Sequence, residues 1–165
     1  MANITLKGNP IKTRGNLPAV GTTLSSIKLT KLDLSDVGLE SYAGKKKVLN
    51  IFPSVDTAVC ATSVRHFNKD ATDLPNTVVL NISADLPFAL KRFCGAEGIQ
   101  NAEALSTFRS NFAKDLQLDI LDGPLSGLCS RAVIVLDENN SVLYAEQVPE
   151  IAQEPNYETA LKALK

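Results

Sequence analysis

The sequence predicts an α/β chain: a mixed central sheet with helices on both faces, preceded by a β-hairpin. Three observations predict it. Two short apolar runs, Val48 to Phe52 and Thr77 to Ile82, flank a segment with apolar residues at 61, 64, 67, 71 and 74. Runs of that length suit buried strands, and steps of three and four suit one face of a helix. Two further runs, Ala132 to Leu136 and Val142 to Ala145, are separated only by the turn residues Glu138 to Ser141, which makes them an antiparallel hairpin. The last stretch, Tyr157 to Leu164, again has helical spacing.

Each element follows in order. Ile4 to Thr13 alternates apolar and polar residues around Gly8, Asn9 and Pro10, the pattern of a small hairpin. Leu29, Leu32 and Leu34 are assigned to a short strand and Leu34 to Asp36 to a turn. Val48 to Phe52 reads as a central strand closed by Pro53, which has no N–H to continue a ladder. The helix from Ala61 to Leu74 returns the chain to Thr77 to Ile82, and that crossover wants a parallel pairing. Leu86 to Phe93 reads as a short helix with Gly95 and Gly98 at its end, and Ala113 to Leu118 as a weak one. Strand–helix–strand–helix, then a hairpin and a helix, is the architecture of a thioredoxin-like fold.

The chain has 165 residues, which predicts a single domain over 1–165. Apolar residues make up 44%, too many for a disordered chain. Lys plus Arg is 17 against 18 for Asp plus Glu, so there is no basic excess for nucleic acid. No apolar run approaches the length of a membrane span. The first residues carry no apolar signal region, so the expected location is the cytoplasm. One histidine and three cysteines without a Cys-x-x-Cys leave no metal site and no dithiol loop. No cofactor is expected.

Cys60 follows the strand exit Pro53 to Thr57 and falls in the first turn of the helix, which begins near Val59 or Cys60. Free N–H groups and the helix dipole favour a thiolate there. The C-terminal end of a buried strand is also where α/β folds place their sites. Thr57, three residues earlier, can bring its hydroxyl to the sulfur or to a bound oxygen. The alternative is that Cys60 is a small apolar residue that happens to start a helix.

Pro53-x-x-x-Thr57-x-x-Cys60 resembles the peroxiredoxin active-site pattern. With Lys47 to Thr57, Val79 to Phe88, Arg92-Phe-Cys-Gly-Ala-Glu-Gly98, Leu105 to Arg109 and the later Arg131, the whole chain is similar to the bacterial thiol peroxidase branch, the atypical two-cysteine peroxiredoxins. The resemblance implies a peroxidatic Cys60 attacking a hydroperoxide. It implies Thr57 orienting the peroxide, Pro53 shielding the pocket and Arg131 holding the thiolate. It implies Cys94 as the resolving cysteine in a Cys60–Cys94 disulfide, thioredoxin as reductant and a homodimer. From the residues alone, Arg131 is equally a surface ion-pairing residue and Cys94 a core thiol beside Phe93.

Cys129 has no role carried over by the resemblance. It reads as a packing residue, or as a third thiol near the pocket if the following strand already runs there. His66 lies six residues past Cys60, about 600° and roughly 9 Å along a helix, so it points away from the sulfur. Lys45 to Lys47 reads as a solvated turn or a docking feature for a reductase. Two other functions share the fold: a thiol–disulfide oxidoreductase, disfavoured by the missing Cys-x-x-Cys, and a non-catalytic interaction module.

Overall fold

A computed structural model describes residues 2–25, 27–71, 74–98 and 102–164. The hairpin is present as β1 (Ala2–Leu6) and β2 (Asn9–Thr13), antiparallel with Leu6 opposite Asn9. The main sheet has seven strands: β3 (Leu29–Thr30), β4 (Asp36–Val37), β5 (Lys46–Ile51), β6 (Thr77–Ser83), β7 (Ala102–Ser106), β8 (Ala132–Leu136) and β9 (Val142–Gln147). Their order is β4-β3-β7-β6-β5-β8-β9. β5 is parallel to β6, and β6 to β7, while β8 runs antiparallel to β5 and β9 to β8.

Helix α1 (Ala58–Ala71) crosses from β5 to β6, and α2 (Pro87–Glu97) from β6 to β7. α3 (Phe112–Asp115) is one turn, and α4 (Tyr157–Lys162) ends the chain. Because side chains alternate along a strand, β5 and β8 bury residues on both faces. Leu49, Ile51, Leu80, Ile82, Ile134 and Leu136 form one core with Phe112 of α3. Val48, Val79, Val133 and Val135 form another with Phe67 of α1 and Ala160 of α4. A third lies beneath the start of α1, where Phe52, Val55, Cys60 and Val64 meet Leu90 and Phe93 of α2.

Several details differ from the sequence reading. β7 falls in a stretch with no strand assigned. Of the Leu29–Leu34 strand only Leu29 and Thr30 pair, because the chain turns at once: the Leu34 N–H donates to Lys31 O at 3.0 Å and Leu34 has φ 72°. Lys45 to Lys47 is not a solvated turn. Lys46 and Lys47 open β5, and buried Lys47 donates through Nζ to Asn140 Oδ1 at 2.6 Å. α1 starts at Ala58, and its expected end at Leu74 crosses 72–73, outside the described residues. Gly95 lies inside α2. Gly98 alone ends it, with φ 65° and its N–H returning to the Cys94 carbonyl. The weak helix at Ala113 to Leu118 is the single turn of α3.

Candidate active site

Strand β5 delivers the chain to Phe52, and Pro53 to Thr57 then turn it into α1. Two hydrogen bonds hold that loop to the end of β6, and a third closes the loop on itself. Ser54 Oγ donates to Asp85 Oδ1 at 2.7 Å, the Val55 N–H donates to Asp85 Oδ2 at 2.9 Å, and the Thr57 N–H donates to Ser54 O at 3.2 Å. The first helical bond is Ala61 N–H to Thr57 O at 3.0 Å, so Cys60 does lie in the opening turn. A buried chain of amides ties that turn to the sheet. Asn50 Nδ2 donates to Asn81 Oδ1 at 2.9 Å and to Ser63 Oγ at 3.3 Å, and Ser63 donates to the Cys60 carbonyl at 2.9 Å.

Cys60 is 0% exposed and Arg131 2%. Arg131 Nη2 donates to Cys60 Sγ at 3.2 Å, and Nε donates to the Ile151 carbonyl at 2.7 Å. Nη1 is buried with no protein partner among the described residues. A buried guanidinium with one unused donor beside a sulfur is an arrangement for anions and for charge that develops at oxygen. Arg131 also lines a cleft of about 240 Å³. Pro53, Thr57, Ala58 and Val59 form one wall, Leu125 and Leu128 another, and Leu6, Lys7, Ile151 and Ala152 a third. Nearly all of that lining is apolar. The structure thus brings Pro53, Thr57, Cys60 and Arg131 together. Thr57 Oγ1 donates to the Ser54 carbonyl at 3.0 Å rather than to the sulfur, which leaves its oxygen lone pairs as acceptors.

Cys94 lies on α2, half-buried, packed against the same apolar cluster as Cys60. Burial pushes its thiol above the usual range. All three cysteines are free. Cys129 is elsewhere: it packs in the core beneath the opposite sheet face, with Leu49, Ile51 and Ile134, and burial pushes its thiol up to about 12. β8 begins only at Ala132, so Cys129 and Arg131 share no strand face. His66 pairs with Asp70 at 2.7 Å and stacks on Tyr157. Among the described residues no group of His, Cys, Asp or Glu is arranged to hold a metal. Among them, also, no helix is long and apolar enough to cross a membrane.

Sequence reasoning missed Asp85, Asn50, Asn81, Ser63 and Ile151. The last acts through a carbonyl that any residue carries, so no side-chain signal could find it.

Residues 19–161 match the Redoxin family. A thiol peroxidase of Mycobacterium bovis is 54% identical over 164 residues, 99% of either chain. The chain is a Redoxin-family thiol peroxidase. Solved structures agree with the peroxidase fold. A peroxiredoxin-like protein from Aquifex aeolicus superposes with a TM-score of 0.91 at 34% identity, covering 98% of this chain and 95% of its own. A thiol peroxidase from Chromobacterium violaceum gives 0.88 at 27%, covering 98% and 94%. The thiol peroxidase fold is therefore a thioredoxin-like mixed sheet, as the element order predicted.

Proposed function

We propose that this thiol peroxidase, acting as one domain over 1–165, reduces organic hydroperoxides and hydrogen peroxide at Cys60, resolves through Cys94 and is recycled by thioredoxin. The observation that carries the reading is the 3.2 Å contact between the Cys60 sulfur and Arg131, a residue that itself lines an apolar cleft. The guanidinium sets a donor directly on the sulfur that would attack the peroxide. The apolar walls favour a hydroperoxide with an organic substituent.

The chemistry then runs in three steps. The Cys60 thiolate attacks the terminal peroxide oxygen. An S–O bond forms, the O–O bond breaks, and the alkoxide leaves as an alcohol after taking a proton. Arg131 Nη1 donates to the oxygen on which charge develops. Thr57 accepts from the peroxide O–H, since its own proton is committed to Ser54. Pro53 keeps the wall dry. The resulting Cys60 sulfenic acid is attacked by Cys94, forming the S–S bond and releasing water. A dithiol of the thioredoxin type returns two electrons by exchange.

Because Cys60 has no exposed surface, and because Cα atoms must come within about 7 Å to bridge, the first turn of α1 unwinds before resolution. The proposed homodimer is supported by apolar surface at one edge: Leu86 is 51% exposed, Phe88 67% and Phe108 43%, all just past the C-terminal ends of β6 and β7. Three free thiols suit a reducing compartment, and we place the protein in the cytoplasm.

The test is consumption of cumene hydroperoxide by wild type, Cys60→Ser and Cys94→Ser, with and without a thioredoxin system. Cys60→Ser is expected to lose even the first turnover. Cys94→Ser is expected to consume one peroxide per chain and stop. A Cys94→Ser protein cycling at the wild-type rate would move resolution to another thiol. Sedimentation of the reduced protein tests the dimer, and a monomer at micromolar concentration rejects it.

A further inference from the structure

We propose that Glu150 is a positioning residue for this reaction: it latches the β1–β2 hairpin over the cleft and sets the preference for bulky apolar hydroperoxides over hydrogen peroxide. The inference rests on the reading of that cleft as the peroxide pocket.

The hairpin turns at Lys7 and Gly8, with φ of 51° and 81°. Two consecutive left-handed residues make the tight turn that matches strand twist, but Lys is a poor choice for the first of them. An outside partner offsets the misfit. Glu150 Oε1 accepts from the Lys7 N–H at 2.7 Å, and Oε2 from the Gly8 N–H at 3.2 Å. The Thr5 hydroxyl also donates to Oε2, and the Ala152 N–H to Oε1 at 3.3 Å. Four donors from two segments meet on one carboxylate. They hold it well below the usual range, at about 2, so it stays anionic at any working pH.

The neighbours of this latch are the cleft wall. Leu6 and Lys7 line the cleft from the hairpin side, and Ile151 and Ala152 from the other. Behind them, the Thr5 N–H donates to Pro149 O at 2.8 Å and the Ile151 N–H to Thr5 O at 2.9 Å. The Ile151 carbonyl in turn accepts from Arg131 Nε. Loss of the carboxylate leaves those two backbone bonds, and with them the anchor of Arg131. What it frees is the turn, and with the turn the Leu6 wall. A cumyl group needs that wall, whereas hydrogen peroxide has no apolar part to place against it.

The experiment is the first-turnover rate constant for cumene hydroperoxide and for hydrogen peroxide, by stopped flow, in wild type, Glu150→Ala, Glu150→Gln and Leu6→Ala. The readout is the ratio of the two. A merely structural role lowers the active fraction for both substrates and leaves the ratio alone. Glu150→Ala and Leu6→Ala are expected to lower it about tenfold, the scale of a lost apolar pocket contact. Glu150→Gln, which keeps one acceptor oxygen, is expected to fall between. If Glu150→Ala does not fold, Thr5→Val removes one of the four donors and should shift the ratio the same way by less. A ratio unchanged in the folded variants overturns the proposal. Full first turnover by Cys60→Ser would instead overturn the peroxide-site reading beneath it.

Discussion

Arg131 reaches Cys60 across 71 positions of sequence, and nothing local announces the contact. Thr57 and Cys60 were legible because one loop and one helical turn carry both. Arg131 was legible only through resemblance, since a strand-start arginine is ordinarily a surface residue. Its burial makes it hard to replace. A lysine or an apolar side chain cannot supply donors to Sγ and to the Ile151 carbonyl at once in the same fixed fork. Arg131→Met is therefore expected to slow the first turnover by about 100- to 1000-fold, the scale of a lost donor to developing charge. Stopped flow at pH 7 checks it, and a loss below threefold would contradict the assigned role. Cys129 offers the opposite case. A thiol pushed up to about 12 is protonated at all pH values below that, and its place in the core bars a reagent as well. Alkylation of the native reduced protein at pH 8 should leave Cys129 unmodified until denaturant is added. Peptide mapping that finds it labelled at the rate of a free cysteine would show that this core opens.

At the level of elements, the strands buried on both faces were the easiest to find, because continuous apolar runs such as Val133 to Leu136 admit few other readings. β7 was missed because Ala102–Ser106 is short and carries Glu103 and two alanines, a sequence with little strand preference of its own. It exists because β6 offers it a parallel ladder, Val79 to Ala102 through Ser83 to Ser106. The two glycines of α2 look alike in the sequence and do different things. Gly98 has φ 65° and open space where a Cβ would stand, so Gly98→Ala meets only the backbone penalty and should lose about 1 kcal/mol. Gly95 sits in the helix with nothing near its own Cβ direction, so Gly95→Ala should add about 0.5–1 kcal/mol. Urea unfolding measures both. On the proposed mechanism only the first turn of α1 unwinds, so Gly95→Ala should form the disulfide after a single peroxide equivalent as fast as wild type. A variant that resolves more slowly would show that α2 must also loosen around Cys94.

The order of strands in the whole sheet was beyond the sequence, since β3 and β4 contribute two residues each and β3 pairs with a strand distant in the chain. What the sheet order does is set Cys60 over one face and Cys129 against the other, so that the oxidation proposed at Cys60 would take place apart from the larger core. The proposed disulfide then has opposing effects on global stability. Joining Cys60 to Cys94 closes a loop of 34 residues in the unfolded chain and stabilises the fold by about 4 kcal/mol on the chain-entropy account. Against it stand the removal of Cys60 from its apolar cluster and the loss of the Arg131 bond. Those are roughly 1.5–3 kcal/mol for a buried apolar group and a similar amount for a charge-assisted bond. The opposing terms are of one size. Oxidised protein should therefore have a free energy of unfolding in water close to that of the reduced form. Its m-value should be smaller, because the folded state already exposes part of α1 and the cross-linked unfolded chain exposes less. Fluorescence- or dichroism-monitored urea curves for both redox states, in a Cys129→Ala background to exclude other pairings, measure each quantity. A full gain of about 4 kcal/mol, with the m-value lowered only as far as the cross-linked unfolded chain requires, would mean that the two cysteines bridge without unwinding.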